Sequence, residues 1–172
     1  MRADAARNRE KLLSAAAEEF ALRGSSASLE AVAKRAGVGI GTLYRHFPTR
    51  EDLVAAAYAA EVDDLRAAAD ELLAEHPPDV ALARWMDRFI DYTAAKRGMA
   101  DVLTTDMRAP TLGKIPGAIE LLLSAGVAAG TLRDDVDVED VRGLLAAVWK
   151  VTDGERARGM LRVLIDGLKV LP

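Results

Sequence analysis

The chain has 172 residues, of which 51% are apolar and 29% charged, with a formal net charge of −4 and no cysteine. That length can bury one substantial core or two small ones, and the absence of cysteine excludes a disulfide framework and any thiolate metal site. Abundant alanine without sustained alternation predicts an all-α protein of about nine helices. There is no signal-type N-terminal apolar stretch and no run near the ~18 residues of a membrane span. A soluble, cytoplasmic chain with no membrane partner is therefore expected.

The negative net charge would seem to argue against nucleic acid, but its distribution does not. Residues 1–50 carry nine Lys/Arg and five Asp/Glu, whereas residues 51–172 carry 14 and 22. A basic head on an acidic body fits a DNA-binding part joined to a regulatory part.

In chain order, residues 1–6 read as a mobile arm in which Arg2, like Arg7 just after it, can reach phosphate. A first helix follows over about residues 7–23, with Leu12, Leu13, Ala16, Ala17 and Phe20 on its apolar face and Gly24 at its end. Ser28 is placed to cap the next helix, because its hydroxyl can accept from a free N–H of the first turn. Leu29, Val32, Ala33 and Ala36 then form an apolar stripe at helical spacing, and Gly37 stands where helices end in the left-handed conformation. A third short helix starts near Gly39. Ile40, Leu43 and Phe47 fall close to one side of it, and Thr42, Arg45 and His46 to the other, with Tyr44 at the border.

Two short helices around a glycine turn, the second with small residues at its start, can enter a DNA major groove closely. Thr42 can bond a base or touch a thymine methyl. Arg45 can reach guanine or phosphate, and Tyr44 and His46 suit phosphate oxygens. Arg50, beside the cap at Thr49, is expected to hold another phosphate. The same spacing also occurs as plain structure, so a helical small-molecule-binding or scaffold protein without DNA-binding activity is the alternative.

The detailed string AGVGIGTLYRHFPTREDL decides more than the spacing does. It resembles the DNA-binding signature of the tetracycline-repressor (TetR) family through Ala36-Gly37-Val38, Gly41-Thr42-Leu43-Tyr44, His46-Phe47 and Arg50-Glu51-Asp52-Leu53. The resemblance is dense over roughly residues 8–55 and weaker beyond. Gly39 and Ile40 depart from the Ser or Thr and the polar or small residue more usual in the family. It implies an N-terminal helix-turn-helix DNA-binding domain (1–48) and a C-terminal helical effector-binding and dimerisation domain (49–172). The implied function is a ligand-responsive transcriptional regulator, a repressor, acting on a double-stranded DNA operator. The expected DNA-contacting set is Ser28, Gly39, Ile40, Gly41, Thr42, Tyr44, Arg45, His46 and Arg50.

A long helix is expected from Thr49 to about residue 74, opened by an approximate capping box in which Asp52 replaces the usual Glu. His76-Pro77-Pro78 breaks it. The next helix runs from Asp79 to about residue 96, where Gly98 interrupts it. A shorter one covers residues 100–107, and Pro110, Gly113, Pro116 and Gly117 make an irregular stretch before a helix over 119–129. Asp137 caps a helix over 138–151, and a last helix covers 155–170.

Trp85, Met86, Phe89, Tyr92, Met99, Leu103, Met107 and Leu121 concentrate rings and methionines in the middle of the body. They can line a pocket for a small effector, apolar or aromatic in character. In the resembled family the last two helices form a homodimer interface, which places Val141, Leu144, Leu145, Val148, Met160, Leu161, Leu164 and Leu168 there.

Enzyme chemistry has no foothold in these residues. His46 lies in the DNA motif and His76 beside two prolines, neither with a carboxylate at metal-ligand spacing. There is no phosphate-binding glycine loop, no nucleophile elbow, and GVGIG has no preceding strand to make a dinucleotide site. No catalytic residue, metal or cofactor is expected.

Overall fold

A computed structural model describes residues 2–170. Met1, Leu171 and Pro172, the outer ends of the two expected domains, lie outside that range. Among the described residues there are nine α-helices: α1 (Arg2–Arg23), α2 (Leu29–Ala36), α3 (Ile40–His46), α4 (Arg50–Glu75), α5 (Pro78–Met99), α6 (Thr105–Arg108), α7 (Lys114–Ala128), α8 (Val138–Val148) and α9 (Gly154–Leu168). Short 3-10 turns stand at Gly24–Ser26 and Ala109–Thr111. The expected all-α class is what is found.

The chain divides into two compact units. One holds Met1–Glu61 and Ala94–Leu112, the other Val62–Thr93 and Gly113–Pro172. Two helices, α4 and α5, therefore pass part of their length to each.

In the first unit α1 packs on α2 and α2 on α3. Leu12, Ala16 and Phe20 of α1, Val32 of α2, Leu43 of α3, and Phe47 are all buried, as the helical stripes require. Helix α1 already begins at Arg2, so the expected arm over residues 1–6 is helical from its second residue. The helix-turn-helix is closed by local chemistry. Ser28 Oγ accepts from Ala31 N–H at 3.1 Å, and Gly37 takes φ 67° with its N–H turned back to the end of α2. Only glycine adopts that conformation without a Cβ penalty.

Helix α4 opens on the expected box. Thr49 N–H and Oγ1–H both donate to Asp52 Oδ2, at 3.1 and 2.8 Å, and Asp52 N–H donates back to Thr49 Oγ1 at 3.1 Å. Gly98 does not interrupt α5, which continues to Met99. A Cβ at Gly98 would stand 1.8 Å from the carbonyl oxygen of Phe20, so the glycine exists for backbone contact between α5 and α1 rather than to break a helix.

In the second unit Trp85 Nε1–H donates to Leu65 O at 2.8 Å, tying α5 to α4 inside the core. Helix α7 starts earlier than Pro116 and Gly117 suggested. Pro116 falls in its first turn, where a missing N–H costs nothing. Asp137 caps α8 in a reciprocal box with Asp140. Helix α9 stops at Leu168, and the chain then forms a two-residue antiparallel bridge, with Arg133 N–H bonded to Leu168 O and Val170 N–H to Thr131 O. Leu132, between those bonds, packs into the space over Gly126.

The stretch Thr105–Ala128 is apolar and long enough by composition to pass for a membrane span. Its helix is broken at residues 109–113, which leaves α7 with 15 residues, below the ~20 that a crossing needs.

Candidate nucleic-acid interface

Helix α3 presents two unlike faces. Leu43 and, at its end, Phe47 are buried, while Gly41, Tyr44 and Arg45 face outward, with Thr42 and His46 half-buried on the flanks. Tyr44 is 46% exposed, a large ring that the fold itself does not use. Ile40, expected on the apolar side, is 38% exposed at the first position of the helix. It therefore belongs to the outer surface along with Gly39 and Gly41.

The two glycines have no internal reason to be glycine. Gly39 has φ −70° and ψ 146°, open to any residue, and a Cβ at either position would meet nothing within 4 Å. Their smallness creates free space at the outer surface of the helix start.

Part of the charge in this unit is committed to ion pairs. Arg7 pairs with Asp4 on α1. Glu19, only 3% exposed, receives Arg35 Nε–H at 2.8 Å. Arg23 Nε stands 3.0 Å from its other oxygen, at an angle that makes an ion pair but not a hydrogen bond. Arg35 also reaches Glu18 at 2.9 Å, and these carboxylates hold its guanidinium above the ordinary arginine range, Glu19 most of all. Arg45, like Lys11 and Lys34, is in none of these ion pairs. It is an exposed cation on the outward face of α3, the arrangement a phosphate or guanine contact requires.

Arg50 departs from its expected place. It is half-buried; Nη1 donates to Ala27 O, Nη2 donates to Ser25 O at 3.2 Å, and the guanidinium lies over the Phe20 ring at 5.1 Å. Two of its donors are thus engaged with the chain's own backbone rather than turned toward the face of α3. Ser28 is exposed, and its hydroxyl oxygen accepts the α2 cap bond while its O–H remains a donor.

The residues expected to line an effector pocket are distributed over both units. Trp85, Met86, Phe89, Tyr92 and Leu121 belong to the second unit, and Met99, Leu103 and Met107 to the first. Trp85 stacks on Phe89 at 5.9 Å, and Phe89 meets Tyr92 at 5.7 Å. Trp85 and Met86 are wholly buried, so these two are core in this conformation. Sequence reasoning missed a polar group in the first unit. Buried Tyr58 and Thr111 place their hydroxyls 3.5 Å apart, and Lys96 is half-buried nearby. Burial pushes the Lys96 ammonium below the usual lysine range, Tyr58 opposing and Arg108 adding to the effect. As Lys96-Arg97 near a helix end, the pair reads in sequence as ordinary dipole-matched charge.

The expected dimer face needs redrawing. Val141, Leu145, Val148, Leu161 and Leu168 are buried within the single chain, because α8 and α9 turn those positions toward one another and α7. What remains outside is Leu144 at 52% exposure, Val163 at 74% and Met160, with Leu164 half-buried. They border a groove of about 380 Å³ between α8 and α9. Sequence reasoning missed Val163 as well, although it stands three residues after Met160 on the same helix side.

Comparison with known proteins matches residues 12–57 to the bacterial regulatory proteins of the tetR family, and residues 77–170 to the C-terminal domain of SbtR-like transcriptional regulators. The solved TetR transcriptional regulator SCO0520 from Streptomyces coelicolor is 41% identical, with a TM-score of 0.88 over 95% of this chain and 99% of that one. A TetR regulatory protein from Mycobacterium vanbaalenii is 38% identical, with a TM-score of 0.81 over 98% and 99%. FadR from Bacillus subtilis, solved in complex with stearoyl-CoA, shares the fold at 19% identity and a TM-score of 0.59, over 92% and 98%. With both halves of the chain matched and its outward recognition helix in place, the protein belongs to the TetR family of bacterial transcriptional regulators.

Proposed function

We propose that this regulator is a ligand-responsive repressor that binds a near-palindromic DNA operator as a homodimer. The observation that carries the DNA reading is the outward face of α3. It combines an exposed tyrosine, an uncommitted arginine and free space over Gly39 and Gly41. Thr42 and Arg45 read bases or phosphates, Tyr44 and His46 bond phosphate, and Ile40 and the glycines allow close approach. Residues 1–48 do this work and residues 49–172 form the effector-binding and dimerising body. Acting on the chromosome, the protein works in the cytoplasm.

Dimerisation is supported by the exposed Leu144, Met160 and Val163. Two recognition helices about 34–36 Å apart would read successive turns of one DNA face. The effector is a small molecule with an apolar or aromatic body. FadR, of the same fold, was solved with stearoyl-CoA.

Fluorescence anisotropy on DNA fragments flanking the protein's own gene, at several salt concentrations, tests the reading. Tight, salt-dependent, fragment-selective binding is expected. Salt-insensitive or absent binding, on those fragments and on random DNA, would leave a helical ligand-binding or scaffold protein instead. Arg45→Ala should weaken binding strongly, and unchanged affinity would remove Arg45 from the interface. Tyr44→Phe should weaken all sequences alike, and loss of sequence preference would contradict its phosphate role.

A further inference from the structure

The two ends of the helix-turn-helix segment meet at one side chain. The segment begins at Ser28, the cap of α2, and ends at Thr49, just before α4. Immediately outside it lie Ser25 and Ala27 at one end and Arg50 at the other. Arg50 Nη1 donates to Ala27 O and Nη2 to Ser25 O at 3.2 Å. The Phe20 ring supports the guanidinium from below at 5.1 Å. Ala27 is itself buried, so its carbonyl would lose its charge-assisted partner if the guanidinium turned outward. The first turn of α4 is pinned independently by the Thr49–Asp52 box, which fixes where the arginine starts. The planar fork suits two neighbouring carbonyls and a ring face at once, and a lysine ammonium does not reproduce that geometry.

We propose that Arg50 is a positioning residue for operator recognition: it closes the Ser28–Thr49 segment into a loop of fixed geometry and acts on DNA only through the placement of α3. The proposal rests on the DNA-binding reading above. It differs from that reading in moving a head cation away from the phosphate backbone and into the chain.

The test uses full-length protein and an operator duplex selected by the wild type from random DNA. If the wild type selects no duplex, the DNA-binding reading itself fails, and that result stands apart from the ones below. Operator affinity is measured for wild type, Arg50→Lys, Arg50→Met and Phe20→Leu across a salt series. Far-UV circular dichroism at the assay temperature restricts the comparison to folded protein. A positioning role predicts that Lys and Met weaken binding alike, by about tenfold, with the slope of log affinity against log salt unchanged. Phe20→Leu, which keeps an apolar side chain but removes the ring, should show the same pattern more mildly, so the test survives a failure of Arg50→Met to fold. Direct binding of phosphate by Arg50 predicts the opposite: Lys retains affinity, and Met lowers the slope by about 0.9 for each phosphate no longer neutralised. That result overturns the proposal. Full affinity in all folded variants also overturns it, since Arg50 would then support the fold without setting the recognition helix.

Discussion

Glu19 and Gly41 show how differently a residue can be constrained. Glu19 is a buried carboxylate held by Arg35 and flanked by Arg23. Removing Arg35 leaves a charge in the interior without its main partner, whereas removing the carboxylate leaves an arginine that still reaches Glu18 and solvent. Arg35→Met should therefore lower the urea midpoint more than Glu19→Met; the reverse order would mean that burial of the carboxylate is the larger cost. Gly41 meets nothing of its own chain. Gly41→Ala should leave the unfolding free energy unchanged or raised, by up to roughly 1 kcal/mol from helix propensity, while lowering operator affinity. A loss of stability with intact binding would contradict the reading of that space as room for DNA.

At the scale of elements, the head is legible in sequence because its signals are local. Ser28, Gly37, Thr49 and Asp52 each act within four residues, and each sits where its chemistry predicts. Gly98 misleads for the opposite reason. Glycine is a poor helix former, so in sequence it signals a helix break, but its partner, the Phe20 carbonyl, is 78 positions away. Arg50 misleads in the same way, since the carbonyls it bonds lie on a different connection. The two helical glycines with close neighbours should respond unequally to a methyl. At Gly98 the obstacle is backbone, so Gly98→Ala should cost about 1–3 kcal/mol of overpacking. At Gly126 it is the Leu132 side chain, which can turn aside in part. Denaturant unfolding of both variants measures the difference, and a larger loss at Gly126 would show that the Leu132 contact is the more rigid of the two.

At the scale of the whole molecule, the apolar faces of α8 and α9 divide between burial and exposure. Apolar periodicity marks both helices correctly, yet it does not say which stripe meets the chain's own core and which stays exposed, because both are apolar. Exposure divides them: Leu145 is buried and Leu144 is not. Leu144→Asp should keep the helical circular dichroism and shift sedimentation from dimer to monomer, with operator affinity falling in step. Leu145→Asp should lose the helical signal. A Leu144→Asp protein that remains dimeric would place the interface elsewhere.

The contact between Gly98 and Phe20 also bears on how regulators of this kind can be recombined. A chimera made by exchanging only residues 1–57 takes α1 away from the glycine it rests on, and sets it against whatever the recipient carries there. Any larger residue would press on a main-chain carbonyl that has no rotamer with which to yield. The portable module is thus discontinuous in sequence: the DNA-reading segment travels with residues 94–112, or with a recipient that offers a glycine at the same turn.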